Sequence, residues 1–226
     1  MSIPIKSFLI LFFLLCISFR IIAQPQNDFR IVTGFSIEKK ISRSISFSFL
    51  NNEIFNQNLN ELGVAFADVG INYKLNRQFS LGVNYRFVKR KNLENFYDDR
   101  QMIYGDVAYS KYFSRFSFSI RSRFQVQYYP KLFSTNYRTP QIYSRNKIAL
   151  RYKINYYFNP YVSAENFVNL NAAGKRMLTD IRYTAGCYYA FNDFFKTEFY
   201  YSIDNGLNRV SRINYFTAGA ICYFKF

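Results

Sequence analysis

The sequence predicts an all-β fold: an antiparallel, up-and-down transmembrane β-barrel of about 10–12 strands. Three observations predict it. Apolar and polar residues alternate with period two along almost the whole chain, and no helical spacing is sustained. Tight connections alternate with longer polar ones. The last stretch, "TAGAICYFKF" (217–226), is itself a strand pattern that ends on an aromatic residue.

The first element, residues 1–23, reads as an export signal. Lys6 precedes an apolar run from Phe8 to Phe19, and "IIAQ" follows. That run is too short to cross a bilayer comfortably as a helix. Cleavage is expected near Ala23, although Ile21 is bulkier than the small residue usual at its place. Cys16 follows Leu15 where a lipoprotein signal carries a small residue, which disfavours lipid attachment. Residues 24–226 then form one exported domain.

Eleven strand candidates follow, at about 29–38, 43–50, 62–75, 78–88, 100–111, 115–128, 143–156, 161–170, 180–191, 194–203 and 211–226. Most are longer than the five or six residues of ordinary strands and match the length that crosses a bilayer at a tilt. The strand at 29–38 puts Arg30 and Glu38 on its polar face, and 62–75 puts Asp68 there. From 79 to 87, Phe79, Leu81, Val83, Tyr85 and Phe87 alternate with Ser80, Gly82, Asn84 and Arg86. The strand at 100–111 adds Arg100 and Asp106 to the polar face. From 116 to 128, Phe116, Phe118, Ile120, Phe124 and Val126 oppose Arg121, Arg123, Gln125 and Gln127. From 144 to 156, Ile148, Leu150, Tyr152 and Ile154 oppose Arg145, Lys147, Arg151 and Lys153. The next three strands contribute Glu165, Arg182, and Lys196 with Glu198. On the apolar face, charges occur only near strand ends, at Lys39, Arg43 and Lys111.

The tight connections are "EKKISR" (38–43), "KLNRQF" (74–79), "KYFSRF" (111–116), "YFNPY" (157–161) and "AFNDF" (190–194). Their Asn, Asp, Ser and Pro residues suit turns. The longer polar stretches are 51–61, 89–99, 129–142, 171–179 and 204–210. This alternation sends the strand at 29–38 toward the short-turn side, with its start on the far side. Even-stranded bacterial barrels have both ends on one side. Either a further strand exists or 29–38 stands outside the wall.

Periodicity defines faces and not directions. A soluble barrel puts the apolar face inside, and a membrane barrel puts it outside. The membrane sense is favoured by the long strands, by the aromatic load of 27 Phe and 21 Tyr, and by Tyr73, Tyr128, Tyr156 and Tyr189 at strand ends. The ending resembles the C-terminal assembly signal of outer-membrane barrels, with Thr217, Gly219, Cys222, Phe224 and Phe226 in its places; Cys222 stands where an aromatic is usual. Barrel-assembly machinery, outer-membrane lipid and lipopolysaccharide are therefore the expected partners, the last through basic stretches such as "VKRK" (88–91).

The strand-turn-strand stretches "KLNRQFSLGVNYRF" (74–87), "RFQVQ" (123–127), "SRNKIALRYKI" (144–154), "PYVSAENF" (160–167) and "IRYTAGCYYAF" (181–191) resemble the domain-of-unknown-function 2490 family of small outer-membrane β-barrels. That resemblance covers nearly the whole exported chain. It implies a barrel in a Gram-negative outer membrane and supplies no reaction and no catalytic residue.

The net charge of +16 first suggests a polyanionic partner. An exported chain with charges and aromatics on opposite faces lacks the stacking platform that nucleic acid needs, so none is expected. The chain contains no His. That removes the His-dependent phospholipases, acyltransferases and proteases found among outer-membrane barrels, and no catalytic residue is assigned. No cofactor or metal site is expected either. Asp98-Asp99 is an adjacent acidic pair read as lying in a loop. Cys187 and Cys222 lie on the apolar face, in strands separated by another, about 10 Å apart and too far for a disulfide.

A charged lumen network is expected from Asp68, Arg86, Arg100, Asp106, Arg121, Arg123, Arg145, Lys147, Arg151, Lys153, Glu165, Arg182, Lys196 and Glu198. Paired, these side chains plug a narrow barrel. If water enters, the excess of cations favours anions. The expected function is a non-enzymatic structural or ligand-binding barrel. A narrow anion-preferring pore is the alternative, and a soluble periplasmic lipid-binding barrel the third. The sequence does not fix the oligomeric state.

Overall fold

The computed structural model describes residues 27–92, 95–128, 140–172, 177–207 and 214–226. The leader expected over 1–23 and most of the connection expected at 129–142 lie outside these residues.

Eleven strands close into one barrel. They are β1 (Asn27–Lys40), β2 (Ile45–Asn56), β3 (Glu61–Lys74), β4 (Phe79–Lys91), β5 (Tyr97–Phe113), β6 (Phe116–Tyr128), β7 (Gln141–Tyr152), β8 (Phe158–Asn169), β9 (Leu178–Ala190), β10 (Phe195–Gly206) and β11 (Asn214–Lys225). Successive strands pair antiparallel, in up-and-down order.

Closure answers the question left by the strand count. β1 is part of the wall, paired antiparallel with β2 and parallel with β11 from Asn27↔Asn214 to Glu38↔Lys225. An odd number of alternating strands leaves the first and last running the same way, so one seam must be parallel. The expectation of a further strand, or of a detached 29–38, is corrected: among the described residues, eleven strands close without either. The Phe226 N–H donates to the Glu38 carbonyl at 2.8 Å, and the Lys40 N–H donates to the Phe226 carbonyl at 2.9 Å. The seam therefore leaves no open edge for lipid to meet.

Burial sets the direction of the faces. Val83 is 65% exposed and Phe124 53%, whereas Asp68 and Glu165 are each 4% exposed. Apolar residues point outward and charged ones inward. A soluble lipid-binding barrel needs the reverse arrangement, so that third reading loses its basis.

The short-turn end repeats one device. The Asn76 side-chain oxygen accepts from the N–H groups of Gln78 and Phe79, both at 2.8 Å. Asn155 does the same for Tyr157 and Phe158, at 2.9 and 2.7 Å, and Asn192 for Phe194 and Phe195, at 2.9 and 2.7 Å. Ser42 takes that place in the first turn. These caps satisfy backbone donors that the ladder releases as the chain reverses. The remaining hairpin turns through Ser114 at φ 52°. Beside these turns the outer wall carries an aromatic girdle, with Phe79 on Tyr109 at 4.9 Å, Phe116 on Tyr152 at 4.8 Å and Phe195 on Phe224 at 5.0 Å. Tyr73 and Tyr189 belong to this end and Tyr128 to the other; Tyr156 lies in a turn rather than on a strand.

Two of the long connections are shorter than expected. The polar stretch 51–61 is mostly strand around a turn at 57–60, and 89–99 reduces to 92–96. Polar residues there continue the ladder instead of leaving it. Asp98 and Asp99, expected in a loop, begin β5; Asn92 donates to Asp98 at 3.3 Å and Lys89 lies 3.8 Å from Asp99.

Candidate functional site

Inward residues of nearby strands meet across the lumen face of the wall, several of them directly opposite in the register. Asp68 on β3 faces Arg86 on β4, and the guanidinium donates twice to the carboxylate, at 2.6 and 2.6 Å. The Tyr104 hydroxyl donates to the same carboxylate at 2.8 Å. Asp106 on β5 faces Arg123 on β6 in a second two-pronged pair, at 2.7 and 2.7 Å. Glu165 on β8 accepts from Arg121 at 2.6 Å and lies 3.0 Å from Arg145. Arg182 on β9 donates twice to Asp204 on β10, at 2.6 and 2.7 Å. Forked pairs of this kind fix geometry as well as charge.

Aromatic rings hold the guanidinium groups flat. Arg123 lies 3.8 Å over Tyr104 and Arg86 lies 4.1 Å over Phe66. Arg145 lies 4.4 Å over Phe167, and Arg182 lies 5.2 Å from that same ring. This corrects the expectation that aromatics and charges keep to opposite faces. Tyr104, Tyr161, Tyr188, Tyr200 and Tyr223 all point inward, because only long or bulky side chains fill a barrel of this width. Arg groups or other rings lie against Tyr104, Tyr161, Tyr188 and Tyr223.

Two inward glycines make room for rings. Tyr200 on β10 faces Gly186 on β9 and Gly219 on β11. A Cβ on Gly219 would stand 2.2 Å from the Tyr200 ring, and one on Gly186 would stand 2.6 Å from the Phe199 carbonyl oxygen. The ring lies in the trough that the two residues leave.

The structure separates the expected lumen residues. Asp68, Arg86, Asp106, Arg121, Arg123, Arg145, Glu165 and Arg182 join the paired belt. Lys147 faces Glu165 in the register but makes no hydrogen bond or ion pair among the described residues; Arg121 and Arg145 hold that carboxylate. A cavity of about 370 Å³ remains between these groups. Arg100 faces inward near the start of β5, outside that cavity. Glu198 belongs to no ion pair among the described residues. Its carboxylate accepts from the hydroxyls of Tyr161 and Tyr223, the latter at 2.6 Å.

Arg151, Lys153 and Lys196 were expected in the acidic network and lie apart from it. They line a second hollow of about 290 Å³ at the short-turn mouth. For Lys153 the cause is a strand boundary: β7 ends at Tyr152, which leaves Lys153 on the rim. Asp204 is a network member that sequence reasoning missed, having placed the loop at 204. Continuing the parity of Lys196 and Glu198 along β10 reaches it. The tyrosine donors were missed as well, and the same parity would have placed them inside.

Of the expected assembly residues, Thr217 and Gly219 face inward on β11, Cys222 and Phe224 face outward, and Phe226 follows the last strand residue. Cys187 and Cys222 are free thiols with β10 between their strands.

Fold and lumen together define an outer-membrane-like β-barrel: apolar outside, ionic inside, closed by a parallel seam. The chain belongs to a family described as proteins of unknown function, DUF2490, which it matches over residues 29–212. A solved NanC porin is similar over 83% of this chain and 94% of its own, at 14% identity and a TM-score of 0.48. The translocator domain of the autotransporter NalP from Neisseria meningitidis is similar over 75% of this chain and 71% of its own, at 10% identity and a TM-score of 0.40. Outer-membrane expressed OmpT of Vibrio cholerae is similar over 72% of this chain and 54% of its own, at 10% identity and a TM-score of 0.40. No curated protein matches the chain.

Proposed function

We propose that this chain is an exported, non-enzymatic outer-membrane barrel whose lumen is closed by its Arg–carboxylate belt, and that it serves as a structural or ligand-binding element rather than an open channel. One observation carries this reading: Glu165, 4% exposed, is gripped by Arg121 and Arg145 from two different strands. Each such pair ties strands that lie beside or near one another in the wall and fills the interior with its side chains, and breaking such buried pairs is costly. The residual cavity of about 370 Å³ is lined by the same side chains.

Outer-membrane lipid surrounds the apolar wall in this reading, and assembly machinery reads the outward pattern of β11. Lipopolysaccharide phosphates meet Lys89, which stays well exposed despite Asp99 nearby, whereas Lys91 is taken by Glu61. A narrow anion-preferring pore is the second reading, favoured by Lys147, which faces the lumen without an acid of its own. A liposome-swelling assay separates the two. Vesicles holding the pure barrel should swell no faster in small anionic or neutral solutes than empty vesicles, and rapid anion-dependent swelling would make the pore the function.

A further inference from the structure

We propose that the short-turn mouth of the barrel is a binding site for a compact, multiply charged anion of the phosphate class. The site is the hollow of about 290 Å³ lined by Arg115, Arg151, Lys153 and Lys196, with Tyr188 and Asn159 among its other residues. No acid lines it.

The cations come from separate parts of the chain and are held in place. Arg151 on β7 lies 4.5 Å over the ring of Tyr188 on β9. Lys196 on β10 lies 5.2 Å from that same ring and 5.2 Å from Tyr223. Tyr188 in turn stacks on Tyr161, with centroids 5.2 Å apart. One ring therefore orients two cations, Lys196 from the adjacent β10 and Arg151 from β7, two strands away. Lys153 and Arg115 occupy two neighbouring hairpin ends that are tied together, the Lys153 N–H donating to the Arg115 carbonyl at 2.7 Å.

The acids around the hollow are engaged elsewhere. Glu198 takes its hydrogen bonds from Tyr161 and Tyr223, Asp193 takes one from Tyr156, and Glu38 lies 3.3 Å from Lys225. Among the described residues, Arg115, Arg151, Lys153 and Lys196 form no ion pair. Four like charges around one concavity create a positive potential that concentrates anions. A guanidinium fork with flexible ammonium groups beside it suits phosphate oxygens. The volume fits a small ligand and not a folded polymer. Glu198 stands deeper along the axis and repels an anion moving inward. That the hollow is a dead end rests on the closed-lumen reading; that it binds anions does not.

Isothermal titration with inorganic pyrophosphate tests the site, using barrel in nanodiscs of neutral lipid at low salt. Saturable binding is expected, weakening as salt is raised. Arg151→Gln/Lys196→Gln should weaken it at least tenfold. Lys153→Gln, at an exposed rim position, should weaken it about threefold. Heat-modifiable gel mobility confirms that each variant is folded. Nanodiscs containing an anionic phospholipid separate the two sources of phosphate: competition with pyrophosphate identifies a lipid headgroup, and unchanged affinity identifies a soluble ligand. No binding to wild type, or equal binding by wild type and folded variants, overturns the proposal whatever the conductance of the barrel.

Discussion

Arg123 and Asp106 face each other across β5 and β6, joined by two contacts of 2.7 Å, with the guanidinium resting on the Tyr104 ring. The Arg123 side chain is only 9% exposed and the Asp106 side chain 17%, so neither charge has water as a ready substitute for the other.

Removing one member of that pair should therefore cost more than removing both. Arg123→Gln leaves Asp106 without its cation, and the loss should be on the order of 3–5 kcal/mol. Arg123→Met/Asp106→Leu should be the milder change, since an apolar pair of similar volume carries no desolvation cost. Thermal unfolding followed by circular dichroism or gel mobility ranks the two. A double variant less stable than Arg123→Gln would contradict the pairing.

The glycines beneath Tyr200 differ in what blocks them. At Gly186 an added Cβ meets the Phe199 carbonyl oxygen at 2.6 Å, which is backbone. At Gly219 the atoms in the way are the far end of the Tyr200 ring, which can tilt. Gly186→Ala should thus destabilise by about 1–3 kcal/mol, and Gly219→Ala by less. The reverse order in a melting experiment would show that the ring, and not the wall, is the rigid partner.

Cys187 and Cys222 test which face meets lipid. In bilayers both thiols should resist a charged, membrane-impermeant maleimide and react with it once the barrel is unfolded. No intrachain disulfide should form under oxidation, because β10 keeps the thiols about 10 Å apart. Rapid labelling of the folded barrel would place the apolar face in water.

Phe224 stacks on Phe195 at 5.0 Å within the outer girdle. Phe224→Ser/Phe226→Ser should lower the amount of folded barrel recovered in outer membranes while leaving export unchanged. Wild-type recovery would mean that this end of β11 does not direct assembly.

Much of the wall was legible in the sequence. All eleven strand candidates exist, because each alternation is long enough to exclude a helix. What period two withholds is direction: Val83 and Arg86 alternate identically in soluble and membrane barrels, and only burial tells which is inside. Strand ends were the weak point. The polar stretch at 51–61 looks like a loop because ladder residues beyond the apolar belt carry polar side chains on both faces. The same effect hid Asp204 in a supposed loop, and so hid the partner of Arg182. The seam was missed for another reason: an even strand count is a regularity of known barrels, whereas hydrogen bonding requires only closure. In the lumen, parity put the charged residues inside, but pairing them by tally counted Arg151 in the acidic network and left out Asp204. The structure pairs most of them by register, with Glu165 held off register by Arg121 and Arg145, and among the described residues Arg151, Lys153 and Lys196 are left at the mouth without an ion pair.

The most direct test of the closed lumen is the current through a planar lipid bilayer containing the pure, folded barrel. The Arg86–Asp68, Arg123–Asp106, Arg121–Glu165 and Arg182–Asp204 contacts should hold the interior shut, giving no steady conductance above that of bare lipid across the working voltage range. Discrete, steady, anion-selective steps from wild-type protein would contradict the account and make this barrel a pore.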